Sequence, residues 1–261
     1  MIGSLGWIAE KFDRRALSYD HSAMHRWQAA QAGRFLAPRP GADVLDVATG
    51  TGLVARELVG WLGPSGRVVG IDVSVEMLRR ARRVCNPSVC CFIRADAQAL
   101  PFRGGVFDAV VCVAAVPYFV DPQAALAEWR RVCRPQGQVV FTVPPPDGIP
   151  SLRLLRQAAA SEGIELDDPG GPLADPGQRD RLAAVTGWAC DEVCEVIFVE
   201  PRADPRAAFA FVDSGFCEPL RTASGSVRER VWVRFDTLYR AEFAEHHVVQ
   251  LVRLRPLPTS S

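Results

Sequence analysis

The sequence lacks the features that mark several large classes of protein. Its 261 residues hold a single lysine, Lys11, and thirty acidic side chains balance thirty basic ones, so the formal net charge is zero. Binding to phosphate backbones needs a concentration of positive charge, so we expect no nucleic acid partner. No stretch approaches the roughly 20 consecutive apolar residues that cross a bilayer, so we expect no membrane partner either.

Metal-binding cysteine motifs are absent as well. The eight cysteines form no C-x-x-C pair and no Cys/His spacing typical of zinc. The nearest set of ligand types is Cys190 and Cys194 with His246 and His247, and we expect no metal there. Most cysteines lie in apolar runs, as small core residues do in a reducing compartment. Because the N-terminal segment reaches charge early and has no long apolar core, we expect no signal peptide and a cytoplasmic protein.

An α/β pattern runs through the middle of the chain. From about residue 43 to 143, short apolar runs alternate with amphipathic segments, which is typical of βαβ units on a parallel sheet. Helices are predicted over GLVARELVGWLG, SVEMLRRARRV and QAALAEWRRVCRP. The predicted strands are ADVLDVA, GRVVGIDV, SVCCFIRAD, VFDAVVCVAAV and GQVVFTV.

The flanks of this core have a different texture. Residues 4 to 37 are predicted to form two helices that meet near Tyr19 and Asp20. After Val143, two turn-rich stretches flank a short helix near Ser151, which indicates an insertion rather than another βα unit. A strand, two helices and a last strand follow. We predict an N-terminal helical cap (1–39), a ligand-binding core (40–143), a lid insertion (144–187) and a C-terminal part that completes the sheet and a pocket (188–261).

Acidic residues end three of the predicted strands. In an open parallel sheet, ligands bind outside the carboxyl ends of the strands, where the strand order reverses. The first strand ends in Asp46, and Gly50 and Gly52 in the following ATGTG turn let the backbone approach a ligand. The second ends in Asp72, where a carboxylate accepts hydrogen bonds from a ribose diol, and the third ends in Asp96. Each residue alone also fits a helix cap or a tight turn, but their order together favours a ligand site.

Three segments carry a family resemblance: VLDVATGTG, VVGIDVSVEMLRRAR and RADAQALPFRGGVFDAVVCVAAVPYFVDPQAALAEWRRVCRPQGQVVF. They resemble the class I S-adenosylmethionine-dependent methyltransferases, in the branch of the ubiquinone/menaquinone and many small-molecule methyltransferases. The resemblance covers about residues 40–143. It implies a Rossmann-like fold with a seven-stranded, mostly parallel sheet, a reversed last strand and helices on both faces. It also implies methyl transfer to a small molecule, with S-adenosyl-L-methionine as the cofactor.

The resemblance further implies roles for single residues. Asp46 would lie near the amino group of the cofactor, Asp72 would bind its ribose hydroxyls, and Val113 would lie beside its sulfonium. Tyr19, in a Tyr-Asp pair ahead of the first strand, would close over it. The predicted cofactor-binding residues are Tyr19, Asp46, Ala48, Gly50, Gly52, Asp72, Val73, Met77, Asp96, Ala97 and Val113.

The chain departs from the family pattern at two places. Ala48 stands where the family frequently has the first glycine of the turn. The segment AAVPYFVDP replaces the polar, asparagine-containing segment that quinone methyltransferases usually carry after the fourth strand. We therefore expect the acceptor to be a specialised small molecule rather than a quinone ring.

Histidines are the candidates for proton transfer. Methyl transfer depends mainly on alignment, and a base is needed only when the acceptor carries a proton to be lost. His21 and His25 lie four residues apart on one predicted helix face next to Tyr19, so we predict a catalytic role for these three residues, with a solvated helix face as the alternative for the histidines. His246 and His247 begin the last strand, where only one of two adjacent side chains can face a site.

Aromatic residues are the candidates for binding the acceptor. Tyr118 follows the fourth strand, where the acceptor pocket of the family begins. Phe209, Phe211 and Phe216 would supply apolar walls to a pocket roofed by the N-terminal helices and the insertion, with ordinary core packing as the alternative. Such a pocket predicts a hydrophobic acceptor of natural-product or lipid-like type.

Two other functions fit parts of the sequence. A nicotinamide-dependent oxidoreductase is suggested by GTGLVA, which satisfies G-x-G-x-x-A, with Asp72 at the expected distance. In that fingerprint, however, the glycine-rich turn follows its strand directly, whereas here an acidic residue and a Thr-Gly pair come first. A cyclase or isomerase that binds the cofactor without methyl transfer also stays open, because no unique catalytic side chain marks the transfer. A binding module without activity is less favoured.

Overall fold

One seven-stranded sheet is formed by the residues that the computed structural model describes, which are 5–167, 170–199, 204–242 and 246–258; the side chains of 211–216 and 218 fall outside the description. The strand order is β3-β2-β1-β4-β5-β7-β6. The strands are β1 (Asp43–Val47), β2 (Arg67–Asp72), β3 (Cys90–Arg94), β4 (Phe107–Cys112), β5 (Cys133–Val143), β6 (Trp188–Val199) and β7 (His246–Pro256).

The pairing of the strands confirms the predicted sheet. β1 pairs in parallel with β2 and with β4, β2 pairs in parallel with β3, and β4 with β5. β7 runs antiparallel to β5 and is the predicted reversed strand. The chain leaves β1 toward β2 and β3 on one side and returns to β4 on the other. The order therefore reverses between β1 and β4, which is where a ligand site is expected.

Helices cover both faces of the sheet, and local capping explains where several of them begin. The hydroxyl of Ser74 accepts a hydrogen bond from the backbone N–H of Met77, and the carboxylate of Asp121 accepts one from Ala124. The helices are α1 (Leu5–Arg15), α2 (Ala23–Leu36), α3 (Leu53–Leu62), α4 (Val75–Val84), α5 (Pro122–Val132), α6 (Pro150–Ala160), α7 (Gly171–Ala174), α8 (Pro176–Val185), α9 (Pro205–Phe216), α10 (Glu218–Arg221) and α11 (Gly225–Glu242), with short 3-10 helices at Tyr19–His21 and Val116–Tyr118.

Two aspartates join the N-terminal segment to the core. The carboxylate of Asp13 on α1 accepts a hydrogen bond of 2.5 Å from the hydroxyl of Ser74, at the start of α4. Asp20 in the first 3-10 helix accepts a hydrogen bond from the hydroxyl of Thr51 and forms an ion pair of 3.2 Å with Arg56 on α3. Because a carboxylate at a helix N-terminus is favoured by the helix dipole, these contacts fix α1 over the carboxyl ends of the strands.

The chain divides into two compact units. The first consists of Met1–Val143, Pro176–Cys194 and Gln250–Ser261, and the second of Pro144–Asp175 and Glu195–Val249. The core of the second unit is formed by buried side chains of α6, α9 and α11, with Phe235 among them. The turn-rich insertion also contains α7 and α8, which the sequence pattern missed because proline and glycine in their first turns resemble loop residues. The predicted division into four parts stays a prediction.

The described residues lack two features. None of the described helices combines the length and the apolar character that crossing a bilayer requires. The same residues contain no group of three or more His, Cys, Asp or Glu side chains placed to hold a metal ion.

Candidate active site

A cavity lies at the carboxyl ends of β1, β2 and β4, beneath α1. The space that its walls enclose, together with the open space at its mouth, is about 690 Å³. Its described walls come from residues 5–120 of the first unit. Predicted site residues in these walls are Tyr19, Ala48, Gly50, Asp72, Val73, Met77, Asp96, Ala97, Val113 and Tyr118.

The turn after β1 brings its backbone to the cavity. Ala48 and Gly50, which line it, have φ angles of +53° and +56°. Glycine adopts this conformation freely, whereas for alanine it costs about 1 to 2 kcal/mol. The backbone N–H of Thr49 donates a 2.8 Å hydrogen bond to the carbonyl of Ile71, which ties the strained turn to β2. Such strain is characteristic of functional sites, where the surrounding structure holds it in place.

Asp72 lies in the floor of the cavity and organises the elements around it. One carboxylate oxygen accepts a 2.9 Å hydrogen bond from the N–H of Gly50 and the other a 2.9 Å bond from the N–H of Ser74. Burial raises the pKa of Asp72 to about 6, although these backbone bonds oppose the rise. A carboxylate oxygen has two lone pairs, so each keeps acceptor capacity for a ligand hydroxyl.

Asp96 and Met77 line the cavity near Asp72. The Asp96 carboxylate accepts a 2.9 Å hydrogen bond from the backbone N–H of Gln98, which holds residues 95–98 as a turn along the cavity wall. Met77 is buried on α4, whose first turn begins directly after Ser74. This end of the cavity therefore combines two carboxylates with the apolar side chain of Met77.

Asp46 is placed differently from its predicted position. Its side chain is 1% exposed and does not belong to the described cavity walls. Its carboxylate accepts a 2.6 Å hydrogen bond from the hydroxyl of Thr49. Burial raises the pKa of this carboxylate to about 7, although the hydrogen bond from Thr49 acts to lower it. In this arrangement Asp46 supports the shape of the turn from below. Its contact with the amino group of a cofactor stays a prediction.

Gly52 also lies outside the cavity walls, and its conformation has a packing cause. It is the residue before α3, with a φ of +81°. A Cβ at this position would lie 2.6 Å from the sulfur of Cys85 and 3.3 Å from the Cβ of Ala81. The glycine is therefore required for the close approach of α3 to the end of α4, and its predicted role in cofactor binding stays a prediction.

The predicted histidines do not reach the described cavity walls. His21 is exposed, and the His25 ring stacks on the ring of Tyr19, with centroids 4.3 Å apart. His246 is exposed, whereas His247 is buried with its ring 6.5 Å from that of Phe198. Among the described lining residues there is no histidine, and the catalytic roles of His21 and His25 stay predictions.

Sequence reasoning missed the face of α1 that covers the cavity. Leu5, Ile8 and Phe12 line it from this helix, and Phe12 contacts the Tyr118 ring edge-on at 5.0 Å. Their spacing of three and four residues is that of one helix face, so the sequence does indicate that this face is buried. The neighbouring residues in the sequence, however, do not distinguish a helix face that packs on a core from one that covers a ligand.

Phe209 lies on α9, and its predicted role in binding the acceptor stays a prediction. Its ring packs in the core of the second unit, 5.4 Å from the rings of both Trp232 and Phe235. It does not belong to the described walls of the cavity, because core packing of α9 on α11 takes up its aromatic surface. The side chains of Phe211 and Phe216 lie outside the described residues.

Comparisons with known proteins give related sequences. Residues 45–141 match the methyltransferase domain family. The ubiquinone/menaquinone biosynthesis C-methyltransferase UbiE of Burkholderia vietnamiensis is 38% identical over 149 residues, covering 51% of this chain and 58% of that protein. The nocamycin O-methyltransferase of Saccharothrix syringae is 33% identical over 184 residues, covering 67% of this chain and 64% of that protein. The chain thus spans 58% and 64% of the length of these curated relatives.

Solved structures share the fold over most of the chain. A methyltransferase in complex with the Haloferax volcanii Trm112 methyltransferase activator has a TM-score of 0.65 at 20% identity, covering 97% of this chain and 99% of that one. The [4+2]-cyclase SpnF has a TM-score of 0.58 at 18% identity, covering 89% of this chain and 82% of that one. At such identities the likeness concerns the fold alone.

Proposed function

Residues 45–141 form a class I S-adenosylmethionine-dependent methyltransferase domain of the ubiquinone/menaquinone methyltransferase-like branch, and from this premise we propose that the protein methylates a small, hydrophobic acceptor. S-adenosyl-L-methionine is the cofactor of this family. The observation that carries the proposal is the cavity itself. It combines a carboxylate end, at Asp72 and Asp96, with an apolar end covered by α1.

The residues present fit the cofactor. Asp72 offers two buried carboxylate oxygens to the ribose hydroxyls, and Asp96 with the backbone of Ala97 offers polar atoms to the adenine edge. Met77 offers an apolar surface to the ring. The turn at Gly50 presents backbone rather than side chains to the methionine part. When bound, the cofactor supplies a methyl group that the positive charge on sulfur has already activated.

The work left to the protein is alignment and exclusion of water. An acceptor atom held about 3 to 3.5 Å from the methyl carbon, in line with the departing sulfur, gains most of the available acceleration. Val113 and Ala114, at the end of β4, are candidates for this part of the wall. Ala114 has a φ of +55°, and its N–H donates a 2.8 Å hydrogen bond to the hydroxyl of Thr142 on β5. That bond fixes the strained backbone where alignment matters.

The apolar end of the cavity supports a hydrophobic acceptor. Leu5, Ile8 and Phe12 cover it from α1, and Phe119 and Val120 line it beyond the second 3-10 helix. The relative that methylates nocamycin at oxygen supports an acceptor of natural-product type. We propose such an acceptor here, with oxygen as the methylated atom.

Transfer of a radioactive methyl group tests the proposal. We expect the full-length protein, incubated with methyl-labelled S-adenosyl-L-methionine and a panel of hydroxylated aromatic and polyketide-like compounds, to move label into at least one extractable product. A product that changes structure without gaining label would instead support the cyclase or isomerase alternative. Absence of any product, with no binding of S-adenosylhomocysteine in calorimetry, would contradict the proposal.

The ionisation of Asp72 predicts how cofactor binding depends on pH. In the free protein its pKa is raised to about 6, whereas hydroxyls that donate to the carboxylate would lower the pKa in the complex. Between about pH 5 and pH 7 the free protein therefore holds more protons than the complex, so binding strengthens as the pH rises. We expect the affinity for S-adenosylhomocysteine, measured by calorimetry, to increase about tenfold over this interval. An Asp72→Asn variant should lose this slope, and an affinity that falls with pH would contradict the assignment.

A further inference from the structure

Cationic side chains gather behind one wall of the cavity. Lys11 on α1 is only 6% exposed, and its ammonium lies 4.6 Å from the centre of the Tyr118 ring, which lines the cavity. Arg15, one helical turn further, hydrogen-bonds to the side chain of Tyr118. Its guanidinium also lies 5.7 Å from the centre of the Tyr19 ring. The single lysine of the protein and a neighbouring arginine thus surround one phenol.

The two tyrosines of the cavity differ in the charged groups that act on them. Burial raises the pKa of the Tyr19 hydroxyl, and Arg15 opposes this rise. The carboxylates of Asp72 and Asp20 add to it. For Tyr118, burial raises the pKa, and the charged group that acts against this rise is Arg15. Arg15 therefore acts on both tyrosines, whereas these carboxylates act on Tyr19. Of the two phenols, that of Tyr118 is the one at which a negatively charged group of a ligand is favoured.

We propose that the acceptor binds as an anion, an apolar molecule with one acidic hydroxyl or carboxyl group, and that Tyr118 holds this group while Arg15 and Lys11 position the phenol and stabilise the negative charge. This inference rests on the proposed function. The Tyr118 oxygen that accepts from Arg15 still has its own proton to donate, so the hydroxyl can bind an oxygen anion in the cavity. Charge-assisted hydrogen bonds of this kind are stronger than neutral ones.

An ionised acceptor explains a feature of the cavity. No histidine belongs to its described walls, and an acceptor that arrives as an anion has no proton for a base to remove. The positive charge behind Tyr118 would lower the pKa of an acidic hydroxyl placed there, so a phenol or an enol would bind in its ionised form. The cavity would thereby select acidic hydroxyls over simple alcohols.

Two fluorescent probes with one apolar frame test the inference. The anion 8-anilinonaphthalene-1-sulfonate and the neutral N-phenyl-1-naphthylamine differ by the sulfonate group and are titrated into the full-length protein saturated with S-adenosylhomocysteine. We expect the anion to bind at least tenfold more tightly than the neutral probe. Arg15→Gln and Tyr118→Phe should each reduce the affinity for the anion about tenfold and leave the affinity for the neutral probe unchanged.

Matched variants separate charge from packing. Arg14 lies on the same helix but is exposed beside Glu10, so Arg14→Gln should change neither affinity. Arg15→Lys keeps the charge and should restore part of the anion affinity, while Lys11→Met, which keeps the apolar stem, should reduce it. Equal affinities for the two probes in the unmodified protein, or equal losses for both probes in Arg15→Gln, would overturn the inference. Calorimetry with S-adenosylhomocysteine alone tests the proposed function separately, because that binding does not depend on the positive charge of Lys11 and Arg15 behind Tyr118.

Discussion

Replacing Asp72 with alanine should weaken the binding of S-adenosylhomocysteine at least 100-fold. The proposed role gives this carboxylate two ribose hydroxyls, and a hydrogen bond to a charged group contributes about 1.5 to 3 kcal/mol. A further loss follows because the N–H groups of Gly50 and Ser74, which now donate to the carboxylate, would have to find other acceptors. Isothermal titration calorimetry at pH 7, where the carboxylate is mostly ionised, measures the effect directly.

A second variant keeps this result interpretable if Asp72→Ala unfolds. Asp72→Asn preserves the shape of the side chain and one carbonyl acceptor, so this variant should fold. Its affinity for S-adenosylhomocysteine should nevertheless fall by more than about tenfold. Asp147→Asn is the control, because Asp147 is exposed and forms only a surface ion pair of 3.1 Å with Arg156. Folding of each variant is checked by thermal unfolding. Unchanged affinity in a folded Asp72→Ala protein would mean that another residue binds the ribose.

Gly52→Ala should lower the free energy of unfolding by about 2 to 5 kcal/mol. The φ of +81° disfavours any residue with a side chain by about 1 to 2 kcal/mol. The added Cβ would also lie 2.6 Å from the sulfur of Cys85 and 3.3 Å from the Cβ of Ala81, and overpacking of this kind costs about 1 to 3 kcal/mol. Denaturant unfolding followed by circular dichroism measures the change.

The same substitution inside α3 should change the free energy of unfolding in the opposite direction. Gly60 lies inside the helix, and a Cβ there would meet no atom within 4 Å. Gly60→Ala should therefore raise the free energy of unfolding by about 0.5 to 1 kcal/mol, because alanine loses less backbone entropy in a helix. Equal effects at the two positions would show that the contact between α3 and α4 does not depend on Gly52.

The residues of the carboxylate end of the cavity could be predicted because their signals are local. Asp72 and Asp96 each follow a short apolar run, and parallel strands bring their carboxyl ends to one edge of a sheet whatever the rest of the chain does. Gly50 stands in a turn that must pass close to that edge. A strand, its last residue and the turn after it are all contained within about ten residues. The pattern can therefore be recognised in the sequence without knowledge of distant contacts.

Residues that depend on packing between distant segments could not be placed in this way. Gly52 has the sequence context of Gly50, yet its neighbours are Cys85 and Ala81, some thirty residues away. Phe209 has the same apolar character whether it lines a pocket or packs against Trp232 and Phe235. Periodicity identifies the buried face of a helix, but it does not identify what that face is buried against.

The sequence by itself determined the parallel strands and the acids at their ends, because strand periodicity and strand-end residues act over short distances, while the reversed last strand followed from the family resemblance. Only the tertiary structure decided that α1 covers the cavity, through the contacts of Asp13 with Ser74 and of Asp20 with Thr51. It also decided that Lys11 and Arg15 come to lie around Tyr118, about a hundred residues further along the chain. The physical reason is that the charge around a cavity comes from side chains of remote segments, whose distances are set by the packing of the whole unit.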